Sequence, residues 1–174
     1  MEKETLRKRI DVAAGRIPAD LVIKNCKIVD VYNGKILVDQ SIAIVDGYIT
    51  GIGDYTGTEE IDAQGQYAVP GFIDGHIHIE SSYVTPEEIG RLLVPHGAST
   101  IIADPHEIVN VCGMDGLHFM LTAAKKTKLD IHFMLPSCVP ATPFENAGAV
   151  IDAAAMESVI SEEQILGLAH KTLG

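Results

Sequence analysis

The spacing of hydrophobic and polar positions changes along this chain, and each change marks a different kind of element. Over residues 3–15, Leu6, Ile10 and Ala13 recur at helical spacing and Gly15 follows. Those apolar side chains share one helix face, and a glycine just beyond it supplies a left-handed stop. From Ala19 the period shortens to two. ADLVIKNCKIVDVYNGKILVDQSIAIVDGYITGIG is a series of short β-branched runs cut at Asn33-Gly34 and Asp46-Gly47. Both dipeptides favour tight hairpin turns. Residues 20–68 are therefore expected to form a small, mostly antiparallel β module. With the leading helix it makes a β-sandwich-like first domain over residues 1–68.

Past Val69 the pattern alternates between strand and helix. GFIDGHIHI reads as a strand. TPEEIGRLLVPHG reads as a helix with Thr85 as N-cap, Pro86 at its first position and Gly97 near its end. ASTIIAD is a second strand, GMDGLHFMLTAAKKTK a second helix and LDIHFML a third strand. An irregular PSCVPATPFENAG follows, and ISEEQILGLAHKTLG reads as a helix leading into a short further element. Such alternation predicts parallel βα units and an α/β fold over residues 69–174.

Composition narrows the function classes. Hydrophobic residues make up 47% of the 174 positions, enough for a sizeable core. The net charge of −11 argues against nucleic acid and against anionic membrane surfaces, both of which need basic patches. The clustered bases Lys3 to Arg9 and Lys125 to Lys128 fit solvated helix faces. Cys26, Cys112 and Cys138 are far apart and odd in number, which suits a reducing, cytoplasmic setting. The charged start MEKETLRKRIDVAAG has no apolar stretch of signal-peptide type, and no run approaches a membrane span.

The chemistry concentrates in PGFIDGHIHIESS at 70–82. Alternate strand residues share a face, so His76 and His78 point the same way while Ile77 and Ile79 turn towards packing. At the C-terminal end of a barrel strand they would face the active-site end. Neutral imidazole is the commonest metal ligand, and a divalent ion held there lowers the pKa of bound water to about 7. A bare H-x-H pair is common, but burying two imidazoles among Phe72, Ile73, Ile77 and Ile79 without a partner is costly. Glu80 falls on the same face, where it either orients an imidazole or belongs to a polar loop. Asp104, His106 and Glu107 end the second strand. They contact substrate, support ligands or add a metal site, or else they simply start a helix. His96 at a helix C-terminus, His118 in a helix and His132 in a strand fit structural roles. His132 and Met134 share a strand face that could line a lumen. Glu145 either reaches the site or is exposed. The H-x-E spacing of His78 and Glu80 lacks the P-C-x-x-C that zinc cytidine deaminases require, since Cys138 stands alone.

A family resemblance is carried by HIHIESS at 76–82, VTPEEIGRLLVPHGASTIIADPHEIVNVCG at 84–113 and MLPSCVPATPFENAGA at 134–149, with PADLVIKNCKIVDVYNGKI in support. Together with the order of β module and then βα units, these runs resemble the amidohydrolase superfamily, most closely its prokaryotic adenine deaminase branch, to about Ala169. The resemblance implies a partial (β/α)8 barrel, with residues 69–174 as its first three to four βα units. It implies a binuclear enzyme using divalent metal, manganese or iron, with His76 and His78 as ligands of one ion. It further implies conversion of adenine and water to hypoxanthine and ammonia in purine salvage, and it favours functional roles for Asp104, His106 and Glu107.

In that family a carboxylate bridging the metals follows a short apolar lead such as G-L-A at the fourth strand, and a catalytic aspartate comes later. Here Gly167-Leu168-Ala169 is followed by His170 and KTLG. The expectation is therefore a truncated or frameshifted chain, with HKTLG out of frame, the barrel incomplete and no activity alone. Its partner would be a purine base, and its assembly a homo-oligomer or a complex with a complementary barrel fragment. Two other readings stand beside this one. A cyclic-amide hydrolase of dihydroorotase or hydantoinase type is disfavoured because no lysine ends a clear barrel strand. The other is a non-catalytic fragment or assembly partner.

Overall fold

A computed structural model describes residues 2–142 and 144–169. Two compact units divide it, Met1–Pro70 and Gly71–Gly174.

The first unit holds α1 (Lys3–Ala13), β1 (Ala19–Asp30), β2 (Lys35–Val45), β3 (Tyr48–Gly53), β4 (Gly57–Asp62) and β5 (Tyr67–Ala68). β1–β2 and β2–β3 pair antiparallel. At the β2–β3 turn Asp46 and Gly47 both take positive φ, 50° and 77°, which the D-G signal anticipates. The β1–β2 connection is longer than the Asn33-Gly34 dipeptide suggests. Asp30 accepts hydrogen bonds from the Tyr32 and Asn33 amides, and Gly34 alone takes positive φ within the turn. β4 and β5 then add to β1 in parallel, a feature that period two cannot reveal. All five strands form one hydrogen-bonded sheet rather than two facing ones. Val12 of α1 packs with Val22, Ala43 and Val45. Lys8 pins the helix to Asp20 at 2.9 Å and to Asp46 at 3.6 Å.

The second unit opens with β6 (Phe72–Ile77) and a 3₁₀ turn over Ile79–Ser82. α2 (Pro86–Leu93) and a second 3₁₀ turn over Val94–His96 follow, then β7 (Ala98–Ala103) and α3 (His106–Ala124). β8 (Asp130–Leu135), α4 (Ala153–Glu157) and β9 (Ile165–Leu168) complete it. The four strands lie in order β6-β7-β8-β9, every neighbouring pair parallel. Four parallel strands with their crossovers make half of a (β/α)8 barrel. Ile101, Ile131, Phe133, Leu135 and Ile165 project from one face of this sheet into a core shared with Ile89 of α2 and Leu117, Met120 and Leu121 of α3. Each such fully buried side chain contributes about 1.5–3 kcal/mol. At the β6 edge Phe72 and Ile73 are exposed, as are Leu166 and Leu168 on β9.

Several expected boundaries shift. α3 starts at His106, so DPHE leads directly into helix, and a non-helical Gly113 (φ 61°, ψ −142°) kinks it where the expected helix began. ISEEQ is not helical. The short helix falls earlier, over AAAME, where the Asp152 carboxylate caps the Ala155 amide at 2.9 Å. Ile165–Leu168 becomes a strand because β8 offers an open edge: the Phe133 amide donates to the Gln164 carbonyl at 2.7 Å. The expectations for His170 and the last five positions fall outside the described residues. Among the described residues no helix is long and apolar enough to cross a membrane.

Gly90 shows how tightly α2 sits on the segment before β8. A methyl group there would overlap the Thr127 hydroxyl and lie 2.9 Å from Thr127 Cβ and 3.4 Å from Leu129 Cβ. Alanine's helix propensity favours Gly90→Ala by about 1 kcal/mol, but overpacking costs about 1–3 kcal/mol. We expect net destabilisation in urea unfolding, and a variant more stable than the parent would contradict this packing.

Candidate metal centre

The centre is built where β6 ends. Between Asp74 and Ile77 the pairing with β7 slips: three steps along β6 match two from Ile101 to Ala103 along β7. One extra residue is thus inserted beside Gly75 and His76, a bulge of the kind that re-aims side chains next to active sites. The Asp74 carboxylate takes up the His76 amide at 3.1 Å. Beyond the bulge the Asp104 amide donates to the Ile77 carbonyl at 2.9 Å, locking the ends of β6 and β7 together. The strand stops at Ile77, two residues short of the expected HIHI end, and Ile79 is buried from the 3₁₀ turn instead.

His76 and His78 come together, with ring centroids 5.0 Å apart, edge to face at 83°. Both line a cavity of about 650 Å³ with Gly75, Ile102, Asp104, His106, Met134, Cys138, Ala141 and Ala169. The cavity lies on the sheet face opposite the core, because Ile102 and Met134 alternate with the buried Ile101, Ala103, Phe133 and Leu135.

The remaining candidates divide by position. Asp104 is only 6% exposed, and its Oδ1 has no hydrogen-bond partner. Burial raises its pKa, against the favourable charges of His78, His106 and His76. His106 joins the cavity wall from the first turn of α3. Glu107 lies outside that wall but binds His78: its Oε2 is 2.9 Å from Nδ1. Glu80 Oε1 accepts the Ile108 amide at 3.3 Å, tying the 3₁₀ turn to α3, while its Oε2 is buried without a partner. Burial raises the Glu80 pKa as well.

Among the described residues the other histidines, His96, His118 and His132, stay out of the cavity. His96 Nδ1 bonds the Leu92 carbonyl at 2.7 Å, as a helix C-terminal residue would. His118 is exposed on α3, and His132 Nε2 pairs with Asp130 at 3.1 Å. Its strand neighbour Met134 does line the cavity. Glu145 braces its own loop through the Ala141 amide at 3.1 Å. Sequence reasoning missed Asp74 and the cavity position of Cys138. Asp74-Gly75 inside a strand was the available signal for a bulge. Cys138 follows the end of β8, where a βα loop opens onto a barrel site.

The two imidazoles form a donor pair suited to a first-row divalent ion, in a cavity where Asp104 keeps an unsatisfied buried carboxylate oxygen. Among the described residues no three His, Cys, Asp or Glu side chains converge into a complete site. The pair therefore supplies part of a coordination shell.

The Amidohydrolase family model matches residues 67–173, more than half of the chain. Adenine deaminase 2 of Desulfotalea psychrophila is 65% identical over 168 residues, which cover 97% of this chain and 29% of that protein. The adenine deaminase of Bacillus subtilis is 54% identical over 170 residues, 98% of this chain and 29% of its own length. The chain thus spans under a third of the length of these curated relatives. Among solved structures, a D-hydantoinase (dihydropyrimidinase) from Thermus sp. matches at 26% identity with a TM-score of 0.53, covering 67% of this chain and 27% of that one. Atrazine chlorohydrolase TrzN from Arthrobacter aurescens TC1, complexed with zinc, aligns at 14% identity with a TM-score of 0.59, over 85% of this chain and 46% of its own, a likeness of fold. A half-barrel of parallel strands, an H-x-H pair at the end of its first strand and a family match over residues 67–173 lead to one conclusion: the chain belongs to the amidohydrolase family.

Proposed function

We propose that this chain supplies the first metal-ligand pair of a cytoplasmic adenine deaminase, which converts adenine and water to hypoxanthine and ammonia in purine salvage. The observation that carries the reading is the placement of His76 and His78 in one cavity at the end of β6, in a chain 65% identical to an adenine deaminase. In this reading His76 and His78 hold a divalent ion, manganese or iron, one of two in the complete centre. Such an ion, when bound, polarises an oxygen and makes water nucleophilic near neutral pH. His76 and His78 give it a fixed seat on a strand end, so no loop has to be ordered when it arrives. Asp104 offers its unsatisfied oxygen to a polar N–H edge, of which a purine has several. Glu80 holds the turn after His78 against α3. The C6–N bond breaks and a C6–O bond forms, with ammonia leaving. In this reading the remaining ligands belong to the part of the relatives' length that these residues do not span, and residues 1–174 by themselves do not turn over adenine.

A second reading, hydrolysis of a cyclic amide, draws on the D-hydantoinase neighbour at 26% identity. One assay separates the two. Residues 1–169 replace the matching segment of the Desulfotalea psychrophila relative, and the chimera is given adenine and hydantoin in turn with Mn²⁺. We expect adenine turnover that falls at least about 100-fold in both His76→Ala and His78→Ala. Turnover of hydantoin alone, or adenine turnover indifferent to both substitutions, would contradict the proposal.

Asp104 also bears on stability. A buried aspartate with a raised folded-state pKa holds its proton more tightly in the folded than in the unfolded chain. Charging it as pH rises through the ordinary aspartate range therefore favours unfolding, and below that range the penalty vanishes. With a chelator present, Asp104→Asn should raise the melting temperature at pH 7 by about 1–4 °C. The gain should shrink as pH falls towards 4. A variant that melts lower than the parent at pH 7 would show that the carboxylate is satisfied in solution.

A further inference from the structure

His78 presents a choice between two nitrogens, and its contact with Glu107 decides it. Its Nδ1 lies 2.9 Å from Glu107 Oε2, in the first turn of α3. An ionised carboxylate can only accept a hydrogen bond, so the ring nitrogen facing it must carry the proton. Free imidazole side chains prefer the opposite tautomer, with the proton on Nε2, and in that form Nε2 has no lone pair to give. We infer that Glu107 is a positioning residue: it holds His78 in the Nδ1–H tautomer and so reserves the Nε2 lone pair for a cation in the cavity.

The surroundings support this assignment. The His76 ring meets His78 edge to face and offers no competing partner of fixed sign. Glu80, two residues on, spends Oε1 on the Ile108 amide. The Asp104 Oδ1 has no partner, the ring of His78 included. Glu107 is half exposed, so its removal leaves the hydrophobic core untouched. The same helix turn thus places His106 in the cavity wall and Glu107 behind its neighbour. A carboxylate that orients a ligating histidine affects metal affinity by about 10–100-fold without touching the ion.

The inference rests on the metal reading for its purpose but not for its observable. Long-range proton–nitrogen NMR on the metal-free 174-residue chain at pH 8 reports the His78 tautomer directly. Nδ1–H should dominate in the parent, and Nε2–H should take over in Glu107→Ala. Glu107→Gln should show a mixture, because an amide can donate as well as accept. Zinc titration against a chromophoric chelator should show affinity reduced about 10–100-fold in Glu107→Ala. An Nε2–H tautomer in the parent, or an Nδ1–H tautomer that persists in Glu107→Ala, would overturn the inference. So would an unchanged zinc affinity. If the parent binds no zinc, the metal reading fails on its own, and the tautomer shift alone then upholds or overturns the role of Glu107.

Discussion

The site depends on the register between β6 and β7. Regular parallel pairing would carry the alternation of β6 straight through to its end. One extra residue between Asp74 and Ile77 breaks it just where the first histidine stands. The displaced His76 amide is taken up by Asp74, and the strand ends are tied again by the Asp104 amide on Ile77. The contact is exposed, so the Asp74 carboxylate steadies the bulge without having to rescue a buried amide. The outcome is two imidazoles in contact on the sheet face away from the core, with Asp104 beside them. The opposite face carries Ile101, Phe133 and Leu135 into the helices and supplies the rigidity.

Rigidity and cost lie close together. Asp104 and Glu80 each keep a carboxylate oxygen buried and unpartnered, and burial raises both pKa values. Side chains that served only folding would satisfy those atoms or give way to apolar groups. Asp104 shares its cavity with His76, His78 and His106, and its free oxygen makes sense where a cation or a polar ligand takes it up. The open edges of the sheet point the same way. Phe72 and Ile73 on β6, and Leu166 and Leu168 on β9, remain exposed on a chain that covers 29% of its adenine deaminase relatives.

The sequence carried most of the architecture because its signals are local. The spacing of Leu6, Ile10 and Ala13 marks α1, although the helix buries Val12 and leaves those three exposed; Asp46-Gly47 marks a tight turn, and Pro86 with Gly97 brackets α2 and the turn after it. The pairing of β4 and β5 with β1 was hidden, because parallel neighbours far apart in sequence leave no periodic trace. β9 lies in a stretch whose pattern reads as a helix leading into a short element, because a four-residue strand is defined by the edge it finds on β8 rather than by its own pattern. At the site, the shared face of His76 and His78 followed from alternation, and Asp104 and His106 from their place after a strand. The bulge and the Glu107–His78 bond did not, since each depends on contacts between elements.

The central claim is that His76 and His78 seat one divalent ion through ring nitrogens. X-ray absorption of the zinc-loaded 174-residue chain tests it most directly. The account predicts two imidazole nitrogens near 2.0–2.1 Å in the first shell, with the imidazole scattering lost when both histidines are replaced by alanine. A shell of oxygen scatterers alone, unchanged by that replacement, would contradict it.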